Sequence, residues 1–127
     1  MSWKAEDIKT IYASVTNVDA DIGTEVTRNM RRHILQIEAQ NLFAGVNLLT
    51  LGKRENGAGA TTTIDRFSFS LINDYLPKPD GPIEEDALPL YIIEGGGGTA
   101  LTQSFLRAVC SAAGTIDLIV RYVDVPT

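Results

Sequence analysis

One cysteine and one histidine are all that this sequence offers to chemistries that lean on sulfur or imidazole. A lone cysteine forms no intramolecular disulfide and says little about redox compartment. No Cys/His spacing suits zinc. Nucleophilic and acid–base catalysis needs such a group beside an oriented partner, and no partner motif accompanies either one. His33, in Arg-Arg-His-Ile-Leu, falls on the apolar side of its expected strand and reads as a partly buried structural histidine. Cys110, in Ala-Val-Cys-Ser-Ala, reads as a small hydrophobe. The residues therefore point away from an enzyme, and no catalytic residue or cofactor is expected.

Basic charge is also scarce. Eleven Lys and Arg stand against sixteen Asp and Glu, for a formal net charge of −5. A nucleic-acid binder needs a basic face, and Arg28-Arg31-Arg32 with Lys53-Arg54 supply too little of one. No apolar run approaches a membrane span, and Met1 to Asp7 is too polar for the core of a signal peptide. Neither nucleic acid nor membrane is expected as a partner. The glycine run Gly95–Gly98 lacks the spacing and the Lys-Ser/Thr ending of a phosphate loop. It reads as a strand connection, or as a segment tucked against a neighbouring subunit where missing side chains allow close approach. Asp80, Glu84, Glu85 and Asp86 do not match a calcium loop, so a solvated acidic segment is expected and no metal.

What the chain does have is two-residue alternation. A strand is expected over residues 8–16, preceded by a helical turn with Ser2 as its N-cap. A turn follows over 17–23, then a short strand over 24–27; residues 1–30 are also open to a reading as an extended N-terminal arm. Residues 31–40 alternate, with His33, Leu35, Ile37 and Ala39 towards a core and Gln36, Glu38 and Gln40 towards water. Further strands are expected over 46–51, 61–71 and 90–94, with a polar glycine-rich tip over 52–59. The proline-bearing stretch 73–89 reads as a loop with little regular structure. Seven or eight short strands with turns between them predict one all-β domain over residues 1–127, an antiparallel β-sandwich of jelly-roll type.

The alternation is strongest at the end. Residues 104–125 read as a closing C-terminal hairpin turning on Ala112-Ala113-Gly114. Centred on Ala113, it sets Cys110 opposite Ile116, Ala108 opposite Leu118 and Leu106 opposite Val120, an apolar face. The other face mixes Phe105, Val109, Ile119 and Val123 with Arg107, Asp117 and Arg121. Such a mixture suits a face covered by another subunit, with the charges paired diagonally. These seven residues are the candidate subunit interface. A covering by the chain's own N-terminal segment, including Trp3, leaves the same trace.

The bend Leu35-Gln-Ile-Glu-Ala-Gln-Asn, a proline-bearing loop, the strand Leu-Pro-Leu-Tyr-Ile-Ile-Glu-Gly and the final Leu106-Arg-Ala-Val-Cys-Ser-Ala-Ala-Gly-Thr-Ile-Asp-Leu-Ile-Val-Arg-Tyr-Val-Asp-Val follow one another in a suggestive order. Over about residues 31–125 this resembles the small β-sandwich structural proteins of tailed phages and other prokaryotic viruses. The resemblance implies a non-enzymatic virion subunit, a capsid decoration, cement or minor capsid protein that stabilises a particle through subunit contacts. Its partners would be copies of itself and a major capsid or tail protein, and its place the virion, assembled in the host cytoplasm. A tail-associated or extracellular filament subunit is the nearest alternative. A carbohydrate-binding sandwich would instead use exposed aromatics, for which Trp3, Tyr75 and Tyr91 are the candidates.

Overall fold

The computed structural model describes residues 3–55, 61–96, 104–113 and 115–127. Among them are nine strands: β1 (Lys9–Val15), β2 (Ala20–Val26), β3 (Met30–Asn41), β4 (Asn47–Arg54), β5 (Thr62–Phe69), β6 (Tyr75–Lys78), β7 (Tyr91–Glu94), β8 (Ser104–Cys110) and β9 (Ile116–Pro126). They form two antiparallel sheets that pack as a sandwich. The first runs β1-β9-β3-β6, with β7 lying beside β6 along the same edge of β3; the second runs β2-β8-β4-β5. Alternate residues are buried along β8 and most of β4 and β9, and the inner faces meet in one apolar core that includes Ile22, Val26, Ile34, Ile37, Leu49, Leu51, Leu106, Leu118 and Val120.

The expected closing hairpin does not form. β8 and β9 belong to different sheets: β8 lies between β2 and β4, and β9 between β1 and β3. The chain therefore passes from one sheet to the other between Cys110 and Ile116. The inner faces were assigned correctly, because Leu106, Ala108 and Cys110 and also Ile116, Leu118 and Val120 are buried. They meet across the core instead of side by side. Alternation says which residues point inward, and nothing about which strand lies alongside.

Residues 1–30 are not an extended arm. β1 closes one edge of the first sheet and β2 one edge of the second, and Ile22, Val15 and Val26 enter the core. β2 also starts earlier than expected, because Asp21 pairs with Arg107 of β8. The turn before β1 is a single 3₁₀ turn, Ala5–Asp7, with Lys4 at the N-cap position; the proposed cap Ser2 lies outside the described residues. The stretch 73–89 holds a strand after all, β6, which pairs with residues 37–40 of β3. Its Pro77 is tolerated because β6 is an edge strand.

β3 carries a bulge between Ile34 and Gln36 that adds Leu35 to the outer face. The extra residue reverses the parity. Arg32 and Ile34 point inward on one side of it, Ile37 and Ala39 on the other, while His33 joins the outer face. His33 is consequently not on the core side. Partial burial and the Arg31 charge lower its pKa, against an opposing pull from Glu94.

Candidate functional site

The seven candidate interface residues do not share a surface. Phe105, Arg107 and Val109 lie on the outer face of the β8 sheet, whereas Asp117, Ile119, Arg121 and Val123 lie on the outer face of the β9 sheet. The two arginines among them are paired within their own sheets. Arg107 is held by Asp19 at 3.1 Å and by Asp21, and Arg54 sits 5.4 Å over the Phe105 ring. Arg121 bonds the Gln36 side-chain oxygen at 2.9 Å and the Glu38 carboxylate. Val109 and Ile119 are half-buried and Asp117 is exposed.

Val123 is covered by the chain itself. With Leu35 and Val125 it forms a second apolar cluster beneath Trp3, flanked by Ile8, Ile83 and Ala87. The Trp3 backbone N–H donates to Asp86 at 3.0 Å. Gln36 anchors the proline-bearing segment over the same face, donating to the Pro79 and Gly81 carbonyls at 2.9 and 2.8 Å. A cleft of about 440 Å³ remains beside it, lined in part by Gln36, Glu38, Pro77, Gly81 and Arg121. Glu38 accepts hydrogen bonds there from Tyr75 and Arg121, which hold its carboxyl below the ordinary range. Of the aromatics a glycan site would use, Trp3 is buried and Tyr91 turns into the seam between the sheets; Tyr75 is exposed.

That seam is polar by design of the register. Asp65 of β5 accepts from Lys78 of β6 at 3.0 Å and from the Tyr91 hydroxyl of β7, joining the two sheets along one side. Desolvation pushes the Asp65 carboxyl up, but the Tyr91 and Lys78 hydrogen bonds and the Arg66 N–H outweigh it and leave the pKa lowered. A carboxyl so lowered stabilises the fold above its unfolded pKa, and the contribution disappears as pH falls through the folded value. Tyr91→Phe is expected to cost about 1–2 kcal/mol in urea unfolding at neutral pH, with the difference from wild type closing at strongly acid pH.

Glycine 95 is also tucked against the chain's own backbone. A Cβ there would collide with the carbonyl oxygens of Thr27 and Met30, and its N–H donates to Met30 O at 2.7 Å. The Gly96 N–H donates to the Val26 carbonyl at 3.1 Å, and Gly97 and Gly98 lie outside the described residues. Asp86 of the acidic segment serves the Trp3 N–H. Among the described residues no cluster of His, Cys, Asp or Glu is arranged to hold a metal ion, and no helix is long and apolar enough to cross a membrane.

The feature that stands out is one end of the sandwich. Four connections meet there: residues 16–19, 42–46, 70–74 and, after Cys110, residues 111–113. Val18, Leu42, Val46, Leu71 and Ile72 project from them and are between 40% and 69% exposed. Large apolar side chains on a turn are costly to leave in water, and five at one end make that end a candidate contact surface. The turns are held rigidly from beneath. Buried Asn41 donates to the Phe43, Gly45 and Leu71 carbonyls at 3.1, 3.1 and 2.9 Å, and its side-chain oxygen accepts from the Phe43 N–H at 3.1 Å. Asn47, also buried, donates to Asn41 at 3.3 Å and accepts from the Ala112 N–H at 3.0 Å. Cys110 N–H reaches the Thr16 carbonyl, and Leu42 N–H the Thr115 carbonyl. Connections 42–46, 70–74 and the one after Cys110 are thus tied together, and 16–19 is tied to the end of β8.

No residue of this tip was among the sequence candidates. The available signal was modest: isolated apolar residues inside segments whose Asn, Asp, Ser and Gly otherwise mark turns.

Fold and surface together define a two-sheet antiparallel β-sandwich with a rigid apolar tip. Comparison with protein-family models and with curated protein sequences gives no match.

Proposed function

We propose that the protein is a virion structural subunit, a capsid decoration, cement or minor capsid protein that acts by contact between subunits. The observation that carries this reading is the tip. Exposed Leu42, Val46, Leu71 and Ile72 stand on turns held by the buried Asn41, and exposed Val18 stands at the same end. Preorganised apolar side chains bind with little ordering cost, which suits a subunit that must dock in many equivalent copies. The negative net charge keeps free copies soluble until they assemble. The resemblance of the final strands to phage structural proteins supports the same reading. A tail-associated subunit would use the same surface.

The test is binding to purified capsids and tails of the virus that encodes the chain. The wild-type chain is expected to saturate at a defined copy number per particle. Leu71→Ser/Ile72→Ser should lower occupancy at least tenfold while its thermal unfolding stays within a few degrees of wild type. Absence of binding to both capsid and tail would overturn the proposal.

A further inference from the structure

We infer that β1 is a docking edge for a second copy of the chain: two β1 strands pair antiparallel about a two-fold axis at Tyr12 and join the two five-stranded sheets into one. The choice of occupant rests on the reading of the chain as an assembling subunit, but the surface is a sheet edge and not the apolar tip.

The other edges show what β1 lacks. A sheet edge is a row of unpaired N–H and C=O groups, which proteins blunt with charges, proline, bulges or short strands. β2 leaves its register between Ile22 and Val26, at Gly23 with a φ of 76°, and bears Asp21 and Glu25. β5 is bulged at Ile64, where Leu51 and Gly52 pair with Asp65 and Thr63, and it bears Asp65 and Arg66. β6 and β7 have four residues each, and β6 contains Pro77. β1 has none of these guards. Its seven residues keep one unbroken register with β9 and include no proline, glycine or carboxylate; the single charge, Lys9, stands at the first position. Among the described residues the backbone of residues 9–14 hydrogen-bonds to β9 alone, which leaves its outward groups to another strand.

β1 also fits its own image. A two-fold contact sets residue i against j and j against i. With the axis at Tyr12, the tyrosine faces the copy's Tyr12, Ile11 faces Ala13, Thr10 faces Ser14 and Lys9 faces Val15. No charge meets its like, and aromatic, aliphatic and hydroxyl pairs of this kind stabilise antiparallel neighbours. Behind β1, Asp117 of β9 lies beside Ser14 and Arg121 beside Thr10, so each Asp117 shares a row with the copy's Arg121. An acidic or basic peptide would find no counter-charge along residues 10–15, which favours the neutral copy as the occupant.

Tyr12 marks the centre. It is 75% exposed, on the outer face next to Ile119, and a shallow trough of about 360 Å³ beside it is lined in part by Ser14 and Ile119. Pairing across the axis brings the two rings together over this trough and covers both, in the side-by-side contact that aromatic pairs favour.

Sedimentation velocity on the full chain, from micromolar to near-millimolar concentration, tests this. A reversible monomer–dimer equilibrium is expected with a dissociation constant of about 100 µM, weak because a strand edge adds hydrogen bonds and little apolar area. Over the same range, exchange of alternate amides in residues 10–14 should slow. Tyr12→Lys sets two lysines face to face and should raise the dissociation constant at least tenfold, and Tyr12→Glu should do the same. An equimolar mixture of the two variants should recover the dimer, because the axis then sets a lysine against a glutamate. Leu88→Lys, which charges an exposed residue outside β1, should leave the constant unchanged. Thermal unfolding within a few degrees of wild type shows that each variant folds. Monomer at every concentration overturns the inference, as does a dimer that Tyr12→Lys leaves intact or that the mixture fails to restore. Protection of β1 only on a capsid or tail, with the free chain monomeric throughout, overturns it in favour of a foreign strand and leaves the subunit reading standing. A Tyr12-dependent dimer that binds neither capsid nor tail would sink the subunit reading alone.

Discussion

Asp124→Asn is expected to lower the free energy of unfolding by about 3–5 kcal/mol, because it leaves a buried guanidinium without its counter-charge. Arg32 is 1% exposed and points into the sandwich at the charged end. Its guanidinium takes both Asp124 oxygens, Nε to Oδ1 at 2.8 Å and Nη2 to Oδ2 at 2.9 Å. Nη1 crosses to the other sheet and donates to the Thr24 carbonyl at 2.7 Å, and the Tyr122 ring lies 4.1 Å from the guanidinium carbon. One side chain thus ties β3 and β9 to β2. A domain of this size has about 5–15 kcal/mol of stability in total, so the single change should lower the melting temperature by roughly 10–20 °C. The double change Arg32→Met/Asp124→Leu should be much milder, since removing both charges leaves neither unpaired. Denaturant melts of the three chains decide it. A double variant as unstable as Asp124→Asn would show that the bond to Thr24, and not the missing counter-charge, is what matters.

The second large effect is expected at Asn41. Asn41→Leu removes the donor shared by three carbonyls and the acceptor serving the Phe43 N–H, all from a site with 0% exposure. Unsatisfied buried groups cost about 1–3 kcal/mol each. Some of these can turn to water once the turns loosen, so a total of about 3–4 kcal/mol is expected. Asn41→Asp sharpens the test, because it keeps the shape and the acceptor but sets a carboxylate against carbonyl oxygens. It should destabilise as much as Asn41→Leu at neutral pH and recover in part when the carboxyl is protonated. Amide exchange at Phe43 and Ala112 should quicken in both variants. Ser111→Ala, which gives up the acceptor of the Leu48 N–H, should cost only about 1 kcal/mol. Equal melting of Asn41→Leu and Ser111→Ala would mean that the asparagine does not organise the tip.

Much of the sandwich was legible because alternation is local. The inner faces of β8 and β9 follow from a period of two, and the turns from Asn, Gly and Pro. What was not legible depends on residues far apart in the chain. Arg31-Arg32 reads as a solvated basic pair until Asp124 supplies the partner that lets Arg32 turn inward. The bulge at Leu35 reverses the inward set of β3, and a simple count through His33, Leu35, Ile37 and Ala39 runs straight across it. β6 was hidden by Pro77, which excludes a central strand but not an edge. The mixed residues of β8 and β9 read as one face only if consecutive strands are neighbours, and these two lie in different sheets. Their charges answer to Asp19, Asp21 and Glu38, which no spacing near residue 107 or 121 reveals.

The crossing between β8 and β9 bears on how the molecule comes to exist at all. β9 is the last strand in chain order, yet it occupies the interior of its sheet, hydrogen-bonded to β1 on one side and β3 on the other. During synthesis β1 and β3 leave the ribosome with the edges that will flank β9 still unpaired. Closing that sheet joins residues more than a hundred positions apart, a slow step for any chain. Until it happens, two strand edges are open to whatever else is nearby, including nascent copies of the same chain.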